Sequence, residues 1–519
     1  MARGEEPRRT KFFREWDAVN TRSSRSSIPE RSFYNLENMI PIGDANIHSV
    51  PNISAVLVDY GLDQVYWSQY VNRGGTDYLI QFCTNGKVFA YNLAGGNTQI
   101  NGALTLLSGS GSRMAQWKNQ IILFVDSTGY YYWDGATFAK LGGANIPTFG
   151  DDIAVFAGRV WILQGRILRW SGVDGFGTGV PAIPDATDYW AAASGAGAIN
   201  LTDPTIRSTI TRLWAQNGYL YLIGNSSINA ISDVYVPTGA APPTPVFTNL
   251  NIQALIGTSQ APSLFPYDRL LMFANKYGTY SLYGVSAQKM SEDIDGTWQF
   301  IDFSQVISGG AVQVRNILCA AFLIKRNADP VFGSNTVIAM WFPKSDGTGK
   351  WWFANYGALT FIVSAMKNDA PALFGFIGNK LYQLFSDSAT APNGQIMGPL
   401  WAMDDPLSDK QAIREGFEVT VESAGPSPFT MTLDTVNNQS AVVTLNNPSL
   451  TGWINNSGSL VLWQNNALAI VGWFSGAYLL YSGDEASGYQ KYLGLTVNTG
   501  GAVCEFSSMY MDYKLRARW

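Results

Sequence analysis

Short apolar runs separated by turns that contain Gly, Asn or Asp follow one another along the first three-quarters of the chain. In one recurrent phrase, such a turn leads at once into a run rich in aromatic and β-branched residues. A tight turn that enters a run of this kind is typical of a β-hairpin. The copies are Asn85–Tyr91, Thr128–Trp133, Gly165–Trp170, Asn217–Leu222, Tyr277–Tyr283, Gly349–Phe353 and Gly378–Leu384. Helical periodicity is scarce, so the pattern predicts an all-β protein.

The spacing of these phrases indicates how the strands are grouped. Their glycines lie at 86, 129, 165, 218, 278, 349 and 378, in steps of 43, 36, 53, 60, 71 and 29 residues. These steps bracket the roughly 40–50 residues of one four-stranded propeller blade, with insertions in the longer steps. We therefore predict a β-propeller of about six to seven blades over residues 32–395.

The chain changes in character after about residue 395. Strand-like segments such as Gly416–Val421 and Phe429–Leu433 are now separated by longer polar stretches. This pattern predicts a separate C-terminal β-sandwich or barrel-like domain at 396–519.

Residues 1–31 differ from both regions because they carry eight Lys and Arg against five Asp and Glu. A segment of this kind is commonly a solvated tail. The alternative, which we favour, is an extended N-terminal arm that docks on an acidic neighbouring subunit, since Arg pairs with carboxylates in a bidentate way. The predicted docking residues are Arg3, Arg8, Arg9, Lys11, Arg14, Arg22 and Arg25.

Composition narrows the class of partner. Of the 519 residues, 14% are charged and 13% are aromatic, and the net charge is −5. Average proteins carry about 25% charged residues, so much of this surface is neutral and suits large permanent interfaces. Proteins that grip nucleic acid over their whole surface are usually basic. We therefore do not expect this chain to grip DNA over its whole surface, whereas a weakly acidic wall past which DNA slides is compatible with the composition.

The sequence indicates neither a membrane span nor a secretory signal. No run approaches the ~18 apolar residues of a membrane span, and the first residues have no apolar signal core. We therefore expect no membrane span.

Cys83, Cys319 and Cys504 are far apart and lack metal-ligand spacing. We expect buried free thiols, although proximity in the fold could pair two of them.

Candidate catalytic groups are few. A Ser-His-Asp or Cys-His centre would need His48, the only histidine. The pairs Asp151-Asp152 and Asp404-Asp405 stand beside Gly or Pro, where Asp commonly hydrogen-bonds its own backbone. Ser291–Trp298 resembles the Asp-box turn of sialidase-type propellers with its Gly shifted by one position, and such turns are not themselves catalytic. We predict a protein that is not an enzyme, with no catalytic residues, no metal site and no cofactor.

Several segments together resemble a known family. Ser32–Pro41 contains an Asn-Leu-x-Asn-Met phrase and a Pro after a basic start. Arg166–Gly172, Gly218–Gly224, Gly278–Gly284 and Lys289–Ile294 then follow in that order. In this arrangement the chain is similar to the packaged-DNA stabilisation, or tail nozzle, proteins of short-tailed bacteriophages. The resemblance covers most of residues 30–420.

This resemblance implies a structural virion protein of the phage tail. Members form a ring, often of six subunits, below the portal and adaptor proteins, and the ring is part of the conduit through which DNA is ejected. The resemblance thus implies a homo-oligomer that retains packaged DNA, contacts tail fibres or tailspikes, and lets genomic DNA pass without sequence-specific binding. The expected location is the virion tail, assembled in the host cytoplasm.

Two other functions remain open on the residues alone. A host-glycan-binding tail propeller predicts exposed Trp or Tyr clusters in one groove. A sialidase-like glycosidase predicts two carboxylates that face each other across a pocket. The Phe/Tyr-Arg-Ile-Pro strand that supplies an active-site Arg in sialidases is missing from this chain.

Overall fold

The structure is a computed structural model of the chain. It describes residues 7–43, 46–106, 113–172, 190–344, 348–403, 405–423, 426–434, 439–446 and 490–516, together with five two-residue strands between 453 and 480. Of the predicted docking residues, Arg3 lies outside this part of the chain.

The described strands are numbered in chain order. The N-terminal strands are β1 (Arg9–Phe13), β2 (Asn35–Glu37), β3 (Met39–Ile42), β4 (Asn46–Ser49) and β5 (Val58–Asp59). Blade one contains β6 (Val65–Arg73), β7 (Thr76–Cys83), β8 (Val88–Asn92) and β9 (Asn97–Gln99). Blade two contains β10 (Arg113–Trp117), β11 (Ile121–Asp126), β12 (Gly129–Trp133) and β13 (Phe138–Lys140). Blade three contains β14 (Asp152–Phe156), β15 (Arg159–Gln164), β16 (Ile167–Trp170) and β17 (Gly197–Asn200).

The remaining blades follow the same order. Blade four contains β18 (Ile210–Gln216), β19 (Tyr219–Gly224), β20 (Ile228–Tyr235) and β21 (Val246–Gln253). Blade five contains β22 (Phe265–Tyr267), β23 (Leu270–Asn275), β24 (Gly278–Tyr283) and β25 (Ser286–Lys289). Blade six contains β26 (Ser308–Val314), β27 (Ile317–Lys325), β28 (Thr336–Pro343) and β29 (Gly349–Ala354). Blade seven contains β30 (Leu359–Lys367), β31 (Ala370–Ile377) and β32 (Lys380–Gln383).

The C-terminal part continues with strands alone. They are β33 (Gln395–Trp401), β34 (Asp409–Val421), β35 (Pro426–Asp434), β36 (Gln439–Asn446), β37 (Trp453–Ile454), β38 (Leu460–Val461), β39 (Trp463–Gln464), β40 (Ile470–Val471), β41 (Leu479–Leu480), β42 (Leu493–Asn498) and β43 (Cys504–Arg516). Among the described residues, helical structure is limited to the single turn α1 (Asp295–Trp298) and the 3-10 turns Ala192–Ser194, Ala261–Ser263 and Glu292–Ile294.

The seven blades form a closed ring. The first strand of each blade lies innermost, and β30 of blade seven lies beside β6 of blade one. Blade seven takes its fourth strand from the other end of the propeller, because β5 pairs with β32 through Asp59 and Lys380. This antiparallel pair joins the first and last parts of the propeller segment, and it covers the otherwise open edge of β32. The predicted fold class, a β-propeller with a C-terminal β domain, is confirmed.

The recurrent turn phrase occurs once in each blade. In five blades it joins the second strand to the third, as at Asn85-Gly86. In blade four the phrase around Gly218 joins the first two strands, and in blade six the phrase around Gly349 begins the fourth strand. The glycines are therefore unevenly spaced for two reasons. The loops differ in length, and the phrase stands at a different position within blades four and six than in the other five.

Aromatic residues pack mainly between blades. Tyr78 of blade one meets Trp133 of blade two edge-on at 5.5 Å between ring centroids. Trp67 of blade one lies 6.3 Å from Phe361 of blade seven. Separate buried apolar clusters fill the interfaces between successive blades from blade seven round to blade five. Neighbouring blades are thus joined by buried apolar area rather than by backbone pairing.

The C-terminal domain is a β-sandwich. One sheet has the order β3-β4-β43-β34-β41, with β1 added on β43. The other continues from β33 through β42 and β35 to β36. Phe417 and Phe506 on the first sheet pack against Phe429 on the second, with ring centroids 5.6 and 5.9 Å apart.

The N-terminal segment joins the sandwich to the propeller. Strand β2 pairs in parallel with β29 of blade six and antiparallel with β33, which produces one sheet of nine strands. Residues from β2 to β4 therefore belong to the sandwich, and the propeller begins at β5. This differs from the predicted boundary at residue 32, because hydrogen bonding across the sheet, and not chain order, places these strands.

The phrase on which the family resemblance rests lies at this junction. Asn38 follows β2 in the left-handed conformation, with φ 57°, which Asn tolerates better than most residues. Its side chain is buried. It donates to the carbonyl of Asn393 at 2.7 Å and accepts from the backbone N–H of Asn355 at 2.7 Å. One amide thus connects blade six to the loop that enters β33.

Replacing Asn38 tests this junction. Asn38→Ala removes both side-chain hydrogen bonds and retains an unfavourable φ, so we expect a loss of roughly 2–4 kcal/mol in the free energy of unfolding. Asn38→Gly removes the same bonds but relieves the backbone, and we expect a smaller loss. Urea unfolding measures both, and equal losses for the two variants would contradict the left-handed assignment.

Candidate functional site

The predicted docking residues fall into two groups. Arg8 pairs with Asp512, Arg25 pairs with Asp434, and Lys11 Nζ lies 3.2 Å from Glu30. The side chains of the other described members are exposed, and they are Arg9, Arg14 and Arg22. Arg14 lies over the ring of Phe12, which is itself 49% exposed.

The chain's own C-terminal strand holds the N-terminal segment. Strand β1 pairs antiparallel with β43 from Arg9 opposite Tyr513 to Phe13 opposite Met509. Further on, the backbone N–H of Thr21 donates to the backbone carbonyl of Asp293 at 2.8 Å. No partner subunit is needed to order the segment, since these hydrogen bonds lie within the chain. Docking on a neighbour remains a prediction, carried by the exposed cations rather than by Arg8, Lys11 and Arg25.

Arg25 binds two groups of the sandwich, close to a buried glutamate. Its Nε donates to the carbonyl of Gly398 at 2.7 Å, and its guanidinium pairs with Asp434. Glu415 lies nearby and is buried, with one carboxylate oxygen lacking a hydrogen-bond partner. Burial, and then the negative charge of Asp434, raise the pKa of Glu415 to about 7. Arg25 thus serves intramolecular charge balance.

The Asp-box-like segment is a structural contact for the N-terminal segment. It forms a 3-10 turn and α1 between blades five and six. A Cβ on Gly296 would lie 1.8 Å from the carbonyl oxygen of Thr21, so only Gly permits this approach. Lys289 pairs with Asp295 at 2.7 Å, and the Trp298 indole donates to the carbonyl of Asn275. This packing accounts for the segment without a catalytic role.

The other candidate catalytic groups are dispersed. His48 Nε2 is 3.6 Å from Glu505, and burial lowers the pKa of the imidazole. The three cysteines are free and buried, as predicted, and burial raises the pKa of each thiol. Asp405 accepts from the backbone N–H of Leu407, which confirms the turn assignment, whereas Asp404 lies outside the described residues. Within the described residues, no group of three or more His, Cys, Asp and Glu could hold a metal ion.

The inner strands of the propeller line a partly open cavity. It has a volume of about 280 Å³ and is lined by inner strands of blades one, four, five, six and seven. Arg212 of β18 is its one charged lining residue. The guanidinium carbon of Arg212 lies 5.0 Å from the centre of the Trp67 ring, and its Nη1 lies 3.2 Å from Asp152.

The sequence did not single out Arg212, and it assigned Asp152 to a turn. Asp152 does accept from the adjacent backbone N–H of Ile153, but it is fully buried and also pairs with Arg212. The available signal was an Arg inside an apolar strand, at Ile210-Thr211-Arg212-Leu213, in a chain with little charge. Which residues meet across a propeller channel depends on ring closure, which this local pattern does not specify.

The fold and these contacts define a β-propeller protein with an appended β-sandwich. No family model and no curated protein matches the chain. A solved structure that does match is the crystal structure of the Cps50 (Swd1) β-propeller domain of Myceliophteria thermophila, with a TM-score of 0.38 and 11% identity, covering 63% of this chain and 99% of that chain. The likeness concerns the propeller fold and carries no argument about function. The described residues include no helix long and apolar enough to cross a bilayer.

The pKa of Glu415 predicts a pH-dependent effect on stability. In the unfolded chain a Glu titrates near ~4.3, so ionising Glu415 in the folded state costs stability progressively from about pH 4 to pH 7. We expect Glu415→Gln to stabilise the protein by up to roughly 3 kcal/mol at pH 8 and to have little effect at pH 4. Chemical denaturation at both pH values measures this, with exposed Glu422→Gln as control. An equal gain at both pH values would contradict the assignment.

Proposed function

We propose that this chain is a structural subunit of a phage tail, which forms an oligomeric ring in the conduit for DNA ejection. The observation that carries the proposal is the junction at β2, because the segment that resembles the tail nozzle family is the one that makes propeller and sandwich a single sheet. A continuous buried core extends from blades five to seven into the sandwich. A rigid two-domain body of this kind suits a load-bearing ring subunit.

The propeller channel is not the proposed path for DNA. A cavity of about 280 Å³ is just below the range of roughly 300–1,000 Å³ that holds small molecules. In this proposal, genomic DNA passes through a lumen enclosed by several copies of the chain. The net charge of −5 favours transit, because a basic lumen would bind phosphate and slow it.

The outer strands of blades four and five offer a surface for contacts between copies. Strand β21 lies beside β25. Large apolar side chains are exposed on or next to the outer strands of these blades, and they are Tyr235, Val246, Leu255, Tyr283 and Val285, at 46–68% exposure. A contiguous exposed apolar surface is common at protein interfaces. The exposed cations of the N-terminal segment provide a second, polar surface for an acidic neighbour such as an adaptor ring.

The glycan-binding alternative receives less support. Of the Trp side chains that the structure describes, all are buried except Trp214, which is half-buried in the channel wall. Exposed Tyr277 immediately precedes β24, and exposed Tyr283 is the last residue of that strand. Neither arrangement forms the exposed aromatic groove that the alternative requires.

Light scattering with and without the candidate adaptor ring tests the proposal. We expect a closed oligomer, or one that assembles only on the adaptor. The triple variant Arg9→Glu, Arg14→Glu and Arg22→Glu should weaken adaptor binding about ten- to a hundredfold, because it reverses three exposed charges on the proposed interface. The loss should shrink as salt is added.

A matched control keeps this experiment specific. The triple Arg207→Glu, Arg269→Glu and Lys276→Glu makes the same change in net charge at exposed propeller sites. Equal weakening by both triples would indicate a non-specific charge effect. A stable monomer that is indifferent to the adaptor would overturn the proposed tail role.

A further inference from the structure

The edges of the sheets differ in how well they are protected from pairing with another chain. The outer blade strands β9, β13, β17 and β25 have only three or four residues each. Among the strands that the structure describes, the longest edge strands away from the channel are β21 of blade four and β36 of the sandwich, with eight residues each. A long edge presents a row of N–H and C=O groups that can pair with another strand, and natural proteins usually shorten or block such edges.

Neither of these two strands contains the residues that commonly block an edge. The sequence of β21 is VFTNLNIQ and that of β36 is QSAVVTLN, so both lack Lys, Arg, Asp, Glu and Pro. Register shifts interrupt β21 towards its ends, but it pairs with β20 without a break from Thr248 to Asn251. Strand β36 pairs with β35 without a break over its whole length. Both strands therefore have a regular stretch to which a further strand can be added.

Side chains on and beside both edges are exposed. On β21, Val246 is 46% exposed, and its cross-strand partner Tyr235 is 58% exposed. Thr248 is exposed as well. On β36, Val442 is 69% exposed and Thr444 is also exposed. Pairing of the two edges would therefore bury apolar side chains as well as satisfy backbone groups, which is how strand addition combines affinity with specificity.

The chain already uses an outer blade edge in this way. In blade six, the outer strand β29 has six residues, and β2 pairs with it in parallel through Glu37 and Phe353. Sandwich strand β33 then pairs with β2 on the other side. A long blade edge is thus covered by strands of the sandwich. Blade four has a longer outer strand, yet within the described residues no sandwich strand of the same chain pairs with β21.

We propose that β21 of one copy pairs with β36 of the next copy, so that blade four and the neighbouring sandwich form one sheet across the subunit interface. This inference rests on the proposed ring and names the contact that closes it. Each chain supplies both edges, and a closed ring leaves neither of them open. Because the two strands belong to different domains, the contact is head-to-tail, and its repetition around an axis produces a ring.

Three Thr→Lys variants test this contact. Thr248→Lys changes β21, Thr444→Lys changes β36 and Thr98→Lys changes β9, and all three threonines are exposed on edge strands. Pairing at a changed edge would desolvate the added charge. We therefore expect the first two variants to weaken self-association about tenfold or more, whereas Thr98→Lys leaves it unchanged. Light scattering over a range of concentrations measures this, and an unchanged Tm shows that each variant is folded.

A mixture of the two edge variants tests the head-to-tail arrangement. Thr248→Lys retains an intact β36, and Thr444→Lys retains an intact β21, so an equimolar mixture should form heterodimers that cannot extend further. Native mass spectrometry, with one variant labelled with ¹⁵N, identifies these heterodimers. A symmetric contact between two β21 strands would instead leave Thr444→Lys able to associate with itself, and that result would overturn the proposal.

The unmodified chain separates this inference from the proposed function. An unmodified chain that stays monomeric, alone and with the adaptor ring, would overturn the tail role itself. A ring of unmodified chains that persists in both Thr248→Lys and Thr444→Lys would leave the tail role standing and overturn the contact between β21 and β36. If the unmodified chain assembles only on the adaptor ring, the same variants are compared in its presence.

Discussion

The arrangement of the two domains depends on one three-residue strand. Strand β2 has blade six on one side and β33 of the sandwich on the other, so its backbone groups belong to both domains at once. A central strand cannot leave a sheet without exposing unpaired N–H and C=O groups on both neighbours. Leu36 and Phe33 are completely buried at the same place. Backbone pairing and apolar burial therefore support each other, and the domains have no flexible linker at this point.

The same constraint determines the course of the N-terminal segment. Before β2, the backbone N–H of Val19 donates to the carbonyl of Trp351, and Lys350 Nζ donates to the carbonyl of Trp16 at 3.4 Å. Before that, β1 pairs with β43. Because the segment is bound at both domains, its cations are held in fixed positions. Arg25 is used within the sandwich, whereas Arg9, Arg14 and Arg22 are exposed. The docking that we propose for these three cations would therefore order little additional backbone.

The sequence predicted the parts of this fold that local patterns encode. Each turn phrase marked one blade because a hairpin needs only neighbouring residues, such as Asn85 and Gly86. The predicted boundary near residue 32 did not anticipate the pairing of β2, because β2 is too short to have its own periodicity and its partners Phe353 and Ile396 lie more than three hundred residues away. The β1–β43 pairing is equally non-local. The family-like phrase marked the location of β2 but not its role, which becomes clear only from the pairing of β2 with β29 and β33.

Three of the buried cations, Lys410, Arg326 and Arg212, are stabilised in different ways. Lys410 is fully buried, and its Nζ donates to the carbonyls of Asp405, Ser408 and Lys491. Backbone oxygens thus satisfy that cation.

Arg326 is also fully buried, and although its nitrogens have no hydrogen-bond acceptor, the rings of Phe332 and Phe353 lie 4.6 Å from its guanidinium carbon. The charges of Glu37 and Asp329 favour its protonated form. Arg212 has an aromatic ring and a carboxylate as well, since it packs on Trp67 and pairs with Asp152, and its Nη2 is 3.3 Å from Gln69. Aromatic rings and carboxylates thus do for the two arginines what backbone carbonyls do for Lys410.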